Sequence, residues 1–455
     1  MTDDMTAVPG VAGSTSRRMF LGGGGAAVAA LTLGGTLLSA CSSGDKAGDD
    51  KAAGDGDQGG DKPATVVRNV RPFGGPATDL IAVNGILAQS VPDGVGVQYI
   101  DGGGRLAVPT LIDSHIHPEK TGWGEPWQSR RAASTTEEFV DADVAFAKGL
   151  HTPPAERALR LMSHAAAQGT RAMRAHADIA PVYGLDGVKA LAAARDKLKG
   201  IVDVQIVAFP QLGVVRTPGT AELMDEAASQ GLIDYVGGID PSTFDKPTPA
   251  GNQLDTIFGI AEKHKIGLDI HLHEVDEDGL GPLRDIIART NAAGLRGKVT
   301  VSHGFAIAKL EGAQLDTLAD QLAAADIALT TVALSGSTVL PYQRLAERGV
   351  RVGLGSDGVR DSWSPFGNAD MLHRVWLLGW ANDARTDDEL SGGFHLAADG
   401  GAKVMGLPIS DLKPGSPADF MLIEGENVPQ IVVDVPPRAV VLRGGRVVAK
   451  DGNLL

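Results

Sequence analysis

Residues 109–117 read PTLIDSHIH, a short apolar run that ends with two histidines at alternate positions. Side chains two residues apart on a β-strand point to the same face, so His115 and His117 can share one metal ion. An exposed strand face that carries two histidines is the alternative interpretation. The nine residues predict the first strand of a sheet and one half of a metal site.

Groups of similar chemistry follow other apolar runs further along the chain. Residues 271–274 read HLHE after one such run, and His303 and Asp357 end or follow two more. In parallel β/α folds the carboxyl ends of the strands meet at one rim, where metal ligands and acid–base groups collect. The sequence therefore predicts that several strands deliver these side chains to a single site.

Strands and helices alternate past residue 109 in the manner of parallel β/α units. The hydrophobic pattern predicts eight strands, near residues 110–117, 171–178, 202–209, 233–239, 266–273, 298–303, 326–333 and 350–356. Amphipathic spacing of Ala and Leu predicts outer helices in stretches such as 154–168, 185–198, 254–263 and 310–324. Eight is the number that closes a (β/α)₈ TIM barrel, which we assign to residues 109–401.

The segments before and after the predicted barrel have a different sequence pattern. Short β-type runs broken by Gly and Pro occur between residues 65 and 108, and similar runs, such as 420–423 and 439–442, return within residues 402–455. We expect both ends of the mature chain to build one small β-sandwich domain beside the barrel.

Composition excludes several classes of function. The chain has 455 residues, a formal net charge of −15 and no Lys/Arg-rich run, which argues against binding to a nucleic-acid polymer. Its single cysteine, Cys41, cannot form an intramolecular disulfide or a thiolate metal cluster. A small-molecule partner fits these properties better.

The N-terminus is typical of an export signal. Residues 16–21 read SRRMFL before a Gly/Ala/Leu stretch, which resembles a twin-arginine signal, and 38–41 read LSAC, which resembles a lipobox. We expect a signal peptide over residues 1–40, lipidation of Cys41 and a flexible tether over 41–64. The mature protein would then be anchored to the outer face of the cytoplasmic membrane. A plain N-terminal anchor helix is the alternative.

Longer motifs in the barrel region resemble the amidohydrolase superfamily of metal-dependent hydrolases, and within it bacterial cytosine deaminase. The resemblance covers roughly residues 65–455. The stretches that carry it read PTLIDSHIH (109–117), DVQIVAFPQLG (203–213), HLHEVD (271–276), GSDGVRDSWSPFG (355–367) and GSPADFMLI (415–423).

The resemblance implies one divalent metal ion, zinc or iron, held by His115, His117, His271 and Asp357. Imidazole and carboxylate suit such ions, and an open position lets the ion acidify a bound water. The fourth strand ends in VGGI (236–239), so the bridging lysine of binuclear relatives is missing. We therefore expect one metal ion.

Two residues receive catalytic roles from the same resemblance. Glu274 would transfer a proton between water, ring nitrogen and leaving group, and His303 would hydrogen-bond the attacking water or developing alkoxide. The alternatives are that Glu274 is a solvated member of an acidic run and that His303 is a satisfied rim histidine. We expect Asp357 to be both a metal ligand and a catalytic residue.

Further residues are expected to bind substrate or to support the ligands. The resemblance places Gln211 against the substrate carbonyl and Trp363 against a flat ring, although a turn residue and simple loop packing are the alternatives. His176 and Asp178 end the second strand and are candidates for hydrogen bonds behind the ligands.

Two departures from cytosine deaminase affect the expected substrate. Gly358 replaces an Asp that contacts the ring, and Ser356 replaces a His. We predict hydrolytic deamination of cytosine or a related amino-substituted nitrogen heterocycle, with release of ammonia. Hydrolysis of an N-substituted ring or cyclic amide is the alternative within enzymes, and a lipid-anchored solute-binding protein is the alternative from another class. The sequence leaves the oligomeric state open, a homo-oligomer included.

Overall fold

The computed structural model of the protein describes residues 63–249 and 251–455. The predicted signal peptide, Cys41 and nearly all of the predicted tether lie outside these residues. Within the described ranges, no helix combines the length and the apolar character that crossing a membrane requires.

The N-terminal strands lead straight into the barrel. They are β1 (Ala64–Pro72), β2 (Thr78–Val83), β3 (Ile86–Ala88), β4 (Val97–Asp101) and β5 (Leu106–Pro109). Only Thr110 separates β5 from the first barrel strand, so the chain passes from one sheet into the other without a connecting loop.

Eight parallel strands form the barrel, and their order in the sheet follows their order in the chain. They are β6 (Leu111–Ile116), β7 (Thr170–Asp178), β8 (Asp203–Phe209), β9 (Tyr235–Ile239), β10 (Gly267–Leu272), β11 (Val299–His303), β12 (Ala328–Thr331) and β13 (Val352–Leu354). All eight coincide with a predicted strand.

The barrel closes between its first and eighth strands. The backbone N–H of Asp357 donates to the carbonyl of His115 at 2.8 Å, and Ile116 and Asp357 form a parallel bridge. A side chain at Gly355 would overlap the backbone of His115, so glycine is required for this close approach. The seam of the barrel therefore lies between two predicted metal ligands.

Helices cover the outside of the barrel and bury apolar side chains against it. They are α1 (Thr136–Ala147), α2 (Pro154–Ala167), α3 (Asp186–Lys197), α4 (Thr220–Ser229), α5 (Gln253–His264), α6 (Asp276–Ala292), α7 (Gly312–Ala325), α8 (Tyr342–Glu347), α9 (Met371–Ala381), α10 (Asp387–His395), α11 (Gly401–Met405) and α12 (Val428–Asp434). Residues such as Leu161, Leu191 and Leu322 are fully buried in the resulting core.

The C-terminal strands join those of the N-terminus. They are β14 (Phe420–Ile423), β15 (Arg438–Arg443), β16 (Arg446–Lys450) and β17 (Asn453–Leu454). β14 pairs antiparallel with β5, and the nine strands form one sheet with its own apolar core around Val67, Phe420 and Leu442. The predicted fold class, a TIM barrel with a β-domain made from both ends of the chain, is confirmed.

The amino-terminal end of the barrel is covered by α11. Ala402 and Met405 of this helix pack on Ile112 and Ala172, which lie near the starts of β6 and β7. The opposite end, where the strands finish, is left to the loops that carry the site.

Candidate metal centre and substrate cavity

The four predicted metal ligands converge at the carboxyl end of the barrel. The Nε2 atoms of His115 and His117 lie 3.3 Å apart, and Nε2 of His271 lies 3.3 Å from that of His117. Oδ1 of Asp357 is 3.5 Å from Nε2 of both His115 and His117. Nε2 of His117 therefore lies within 3.5 Å of the other three predicted ligand atoms.

These separations fit a metal ion. Ligands about 2.0–2.1 Å from a tetrahedral zinc ion lie roughly 3.3–3.4 Å from one another, which is the spacing seen here. Buried nitrogens of His176 and His303 also lie within 4.8 Å of ligand atoms in the same cluster. The donor set consists of nitrogen and oxygen, as borderline divalent ions prefer.

The protonation states also favour metal binding. Burial, together with the neighbouring charges, holds the pKa values of His117 and His271 well below their usual range, so these imidazoles are neutral. Burial opposes ionisation of Asp357, but its close contact with His115 and the nearby imidazoles of His303 and His117 hold its pKa well below its usual range. The ligands therefore offer free lone pairs at neutral pH.

A buried chain of hydrogen bonds orients His115. Its Nδ1 lies 2.9 Å from the hydroxyl of Ser302, which donates to Asp269 at 2.6 Å, and Asp269 pairs with Arg174 at 2.9 Å. None of these residues is exposed to solvent. Since the hydroxyl hydrogen is used on Asp269, Nδ1 of His115 must carry the proton, which leaves Nε2 free for the ion.

Two further histidines surround the ligands without hydrogen-bond partners. Both ring nitrogens of His176 and of His303 are buried, and none has a partner among the described residues. The His176 ring lies 4.0 Å from that of His115, whereas Asp178 is bound to Lys120. His303 and Asp357 have φ angles of +70° and +59°, a conformation that is strained for non-glycine residues and is common at functional sites.

Glu274 is turned toward the loop after β9. Its Oε1 accepts hydrogen bonds from the hydroxyl of Thr243 at 2.7 Å, from the N–H of Ser242 at 2.9 Å and from the N–H of Thr243. Its Oε2 is buried and has no partner within the described residues. Burial raises the pKa of Glu274 to about 7, which suits a group that takes up and releases a proton near neutral pH.

A small cavity of about 30 Å³ opens beside the ligand cluster. Its walls are formed by His117, Lys120, Phe209, Gln211, His271, His273, Asp357, Asp361 and Trp363. A cavity of this size holds only a few water molecules, so a heterocyclic ring would need the side chains around it to move. Of the predicted substrate residues, the structure places both Gln211 and Trp363 in its wall.

Gln211 is held in one orientation by its neighbours. Its Oε1 accepts from Lys120 at 2.5 Å and from the indole N–H of Trp363 at 3.1 Å, while its Nε2 donates to Asp143 at 2.7 Å. The carbonyl oxygen is therefore occupied, and the free group of the amide is an N–H. Gln211 can offer a donor to a substrate carbonyl, as predicted for it, but not an acceptor.

The sequence interpretation missed Lys120 and the carboxylates around it. The Lys120 ammonium lies 3.2 Å from Asp178 and 3.6 Å from Asp143, and all three side chains are buried. Burial opposes the charge, but these carboxylates raise the pKa of Lys120. The only signal in the sequence was its position three residues after His117, since Asp143 comes from α1 and could not be linked to it.

His273 was also given no role, yet it lines the cavity. Its Nδ1 lies 3.0 Å from Oδ2 of the buried Asp240, and its backbone N–H donates to Oδ1 of the same carboxylate at 2.7 Å. Its ring is nearly parallel to that of Trp363, with centroids 6.2 Å apart. Asp240 follows the fourth barrel strand, so two neighbouring strands together fix this imidazole.

Both departures noted in the sequence have a structural counterpart. A side chain at Gly358 would overlap the carboxyl group of Asp361, which occupies that part of the wall. Ser356 donates to Asp113 at 2.5 Å, beneath the ligand cluster. The wall beside the predicted ligand Asp357 therefore still carries a carboxyl group, supplied by a residue three positions after Gly358.

Comparison with protein families gives one match that covers most of the chain. The model of a family described as "Amidohydrolase family" matches residues 98–455. This range includes the whole barrel and the C-terminal strands.

Individual relatives agree with the family match. N-isopropylammelide isopropylaminohydrolase from Burkholderia multivorans superposes with a TM-score of 0.79 at 34% identity, covering 87% of this chain and 100% of that one. The N-isopropylammelide isopropyl amidohydrolase of Pseudomonas sp. (strain ADP) is 26% identical over 79% of this chain and 90% of its own. 5-Methylcytosine deaminase from Klebsiella pneumoniae superposes with a TM-score of 0.71 at 25% identity, covering 85% and 98%.

Proposed function

Because the chain belongs to the amidohydrolase family and is a hydrolytic enzyme, we propose that it hydrolyses the bond between a nitrogen-heterocycle ring and an exocyclic amino group. The observation that carries the proposal is that Nε2 of His117 lies 3.3–3.5 Å from the nearest ligand atoms of His115, His271 and Asp357, beside a cavity walled by flat rings. A binding protein would not require a centre of this kind.

The residues that would hold the ion are His115, His117, His271 and Asp357, and we propose zinc or iron as the metal. When bound, such an ion makes water a better nucleophile and stabilises negative charge on oxygen. Ser302 keeps His115 in the tautomer that can bind the ion.

The remaining steps belong to side chains around the cluster. We propose that Glu274 takes one proton from the attacking water and delivers it to a ring nitrogen. It then takes the second proton from the newly formed hydroxyl group and delivers it to the departing amine. Its pKa of about 7 supports this role, although its carboxylate must leave the loop at residues 242–243 to reach the cavity. His303, whose ring nitrogens are free within the described residues, would hydrogen-bond the developing oxyanion.

His273 is a second candidate for proton transfer. It already lines the cavity, and Asp240 fixes its ring and, although burial opposes the shift, raises its pKa. The roles of Glu274 and His273 can be separated because only the substitution of the true proton carrier should abolish turnover while substrate still binds.

The cavity walls support a planar substrate with a carbonyl group. Trp363 and Phe209 offer ring faces, and the free N–H of Gln211 is a donor suited to a ring carbonyl. Cytosine or a related amino ring, with ammonia as the product, is the first candidate. A ring with an N-substituted amino group is the second candidate. It is favoured by the Burkholderia multivorans relative, whose name specifies N-isopropylammelide and whose sequence is 34% identical to this chain.

We also propose that the mature enzyme is exported and tethered through Cys41. This proposal is supported by the sequence of residues 16–21 and 38–41 alone. Replacement of Arg17 and Arg18 by lysine should keep the protein inside the cell, and export of that variant at the normal rate would refute the twin-arginine route.

The function is tested by measuring amine release from a panel of rings. Purified enzyme loaded with zinc or iron is incubated with cytosine, 5-methylcytosine, isocytosine, aminotriazines and their N-alkyl derivatives, and ammonia or alkylamine is quantified. We expect hydrolysis of at least one ring, with E274Q losing about 100- to 10,000-fold in kcat while binding that ring with unchanged affinity. Loss of turnover in H273N but not in E274Q would move the proton-transfer role to His273.

The proposal has one control variant and one refuting outcome. H264N changes a histidine that pairs with Asp225 on the outside of the barrel, and it should leave amine release unchanged. A fully loaded enzyme that releases no amine from any member of the panel would refute the proposed function.

A further inference from the structure

Asp361 occupies the loop that follows the eighth barrel strand, four residues after the ligand Asp357. Its side chain is completely buried. Oδ1 accepts hydrogen bonds from the backbone N–H groups of Trp363 at 3.0 Å and Ser364 at 2.9 Å. This one oxygen is sufficient to shape the turn that presents Trp363 to the cavity.

The second oxygen of Asp361 does not take part in this turn. Oδ2 is buried and has no hydrogen-bond partner among the described residues, although Asp361 lines the cavity together with Lys120 and Gln211. A carboxyl oxygen that is buried without a partner costs free energy, so its retention calls for a partner that arrives from outside the chain.

The backbone next to the ligand is built around this carboxyl group. A Cβ at residue 358 would overlap the carboxyl group of Asp361, so Gly358 leaves the volume that the carboxyl group fills. The φ angle of Gly358 does not lie in the left-handed region, and the glycine is therefore explained by space rather than by backbone conformation.

The neighbouring groups define what the carboxyl group would meet. The free N–H of Gln211 is a hydrogen-bond donor on the same cavity wall, whereas Oδ2 of Asp361 accepts when the carboxyl group is ionised; burial raises the pKa of this group to about 7. A wall with a donor and an acceptor complements a ligand edge that presents an acceptor and a donor. The –C(=O)–NH– edge of a lactam is such a group.

We infer that Asp361 is a substrate-binding residue whose Oδ2 accepts a hydrogen bond from a ring N–H, which restricts the substrate to heterocycles with an unsubstituted lactam edge. The inference rests on the proposed function for the identity of the site and names the class of ring. Gly358 supports it by leaving space for the carboxyl group.

The experiment compares Asp361→Asn with the unchanged enzyme, both loaded with metal, on ring pairs that differ only by a methyl group on the lactam nitrogen. Asparagine keeps an oxygen for the N–H groups of Trp363 and Ser364 but can place a donor where Oδ2 stood. We expect D361N to raise KM at least about 30-fold on the N–H rings with kcat changed less than threefold, and to abolish the preference for N–H over N–methyl rings.

A double variant tests whether the location of the carboxyl group in the cavity wall matters, rather than the residue that supplies it. Gly358→Asp combined with Asp361→Ala returns a carboxyl group to the same part of the wall from the neighbouring backbone position. Partial recovery of the N–H preference, relative to D361A alone, supports the inference. An N–H preference that is equal in D361N and the unchanged enzyme overturns it.

Binding measured without turnover separates this inference from the proposed function. Calorimetric titration of the loaded enzyme with cyanurate and with its N-methyl derivatives reports recognition of the lactam edge directly. If no ring releases amine but cyanurate binding depends on Asp361, the proposed reaction fails and the inference stands. If amine is released but neither KM nor cyanurate affinity depends on Asp361, the inference fails and the reaction stands.

Discussion

The two ends of the barrel each contain a buried polar cluster, but only one of the clusters is complete. At the amino-terminal end, Arg174 donates to Asp269 at 2.9 Å, to Thr300 at 2.7 Å, to Gln205 at 2.9 Å and to the carbonyl of Val404 at 3.3 Å. Each member of this cluster has a partner, and α11 covers it. The arrangement is that of a structural network.

At the carboxyl end, buried groups lack partners within the described part of the chain. They include the ring nitrogens of His176 and His303, Nδ1 of His117 and His271, Oε2 of Glu274 and Oδ2 of Asp361. Thr170 Oγ1 and Arg171 Nε, at the start of β7, also lack hydrogen-bond partners among the described residues, but at the carboxyl end such groups gather around one cavity. Since folding alone does not favour unpartnered polar groups, this concentration favours the carboxyl end as the place where a ligand binds.

Removal of a ligand at the carboxyl end should have the largest effect. In H271A we expect the bound metal to fall well below one ion per chain and kcat/KM to fall at least about 1,000-fold, because the charge stabilisation supplied by the ion is worth several kcal/mol. Elemental analysis and amine release measure the two effects. Chelation of the unchanged enzyme should reproduce the loss, and readdition of zinc or iron should reverse it; full activity in protein shown to be free of metal would contradict the proposed centre.

Disruption of the complete cluster should instead reduce stability. Arg174→Met leaves Asp269 buried without its cation, and we expect the free energy of unfolding to fall by about 3–5 kcal/mol in urea titrations of metal-free protein. R195M is the matched control, because it breaks a partly exposed ion pair with Asp234 and should cost less than about 1 kcal/mol. Equal losses in the two variants would show that the amino-terminal cluster contributes no more than a surface pair.

Ser302 links the two polar clusters, because its hydroxyl group contacts both His115 and Asp269. Its substitution tests whether this link affects the metal site. S302A removes the acceptor for Nδ1 of His115, so we expect a 10- to 100-fold weaker affinity for zinc in competition with a chelator. T300V removes a hydrogen bond to Arg174 at similar depth but leaves His115 untouched, and its zinc affinity should change less than about threefold. S302T should restore the affinity. The same zinc affinity in S302A and T300V would exclude a role of the hydroxyl in orienting the ligand.

The smallest effect concerns the pH dependence of stability at Glu274. Its pKa is about 7 in the folded protein against an ordinary value of 4.5, so the folded state binds more protons than the unfolded state between these values. Stability should therefore fall as pH rises from about 4.5 to 7, by roughly 1–2 kcal/mol after allowance for the partial exposure of the carboxyl group. Metal-free E274Q should lack this component. Identical pH profiles of unfolding for E274Q and the unchanged chain would show that Glu274 does not titrate in this range.

The sequence predicted the parts of the molecule that local patterns encode. Most barrel strands are short apolar runs, and the predicted ligands His115, His117, His271 and Asp357 lie at or just beyond the ends of strands. In a parallel barrel these ends necessarily share a rim, so the convergence of the ligands followed from topology.

Other features depend on contacts between segments that are distant in the chain. The contact of Lys120 with Asp143 joins a loop to helix α1, and that of His273 with Asp240 joins two loops. Nothing in the local pattern of any of these segments indicates its partner. The orientation of Gln211 is likewise set by three neighbours from three elements. The carboxyl group of Asp361 in the space left by Gly358 could be recognised only once the loop conformation was known.

The closing seam of the barrel has a consequence for the order in which the protein is made. His115 belongs to the first barrel strand and Asp357 follows the last, and their backbones are joined by the hydrogen bond that shuts the cylinder. A growing chain on the ribosome has the histidines long before it has the aspartate, so it cannot assemble the centre until the final strand has emerged. An ion bound across this seam would link the first and last strands of the sheet. It could bind all of its ligands only after the last barrel strand has been synthesised.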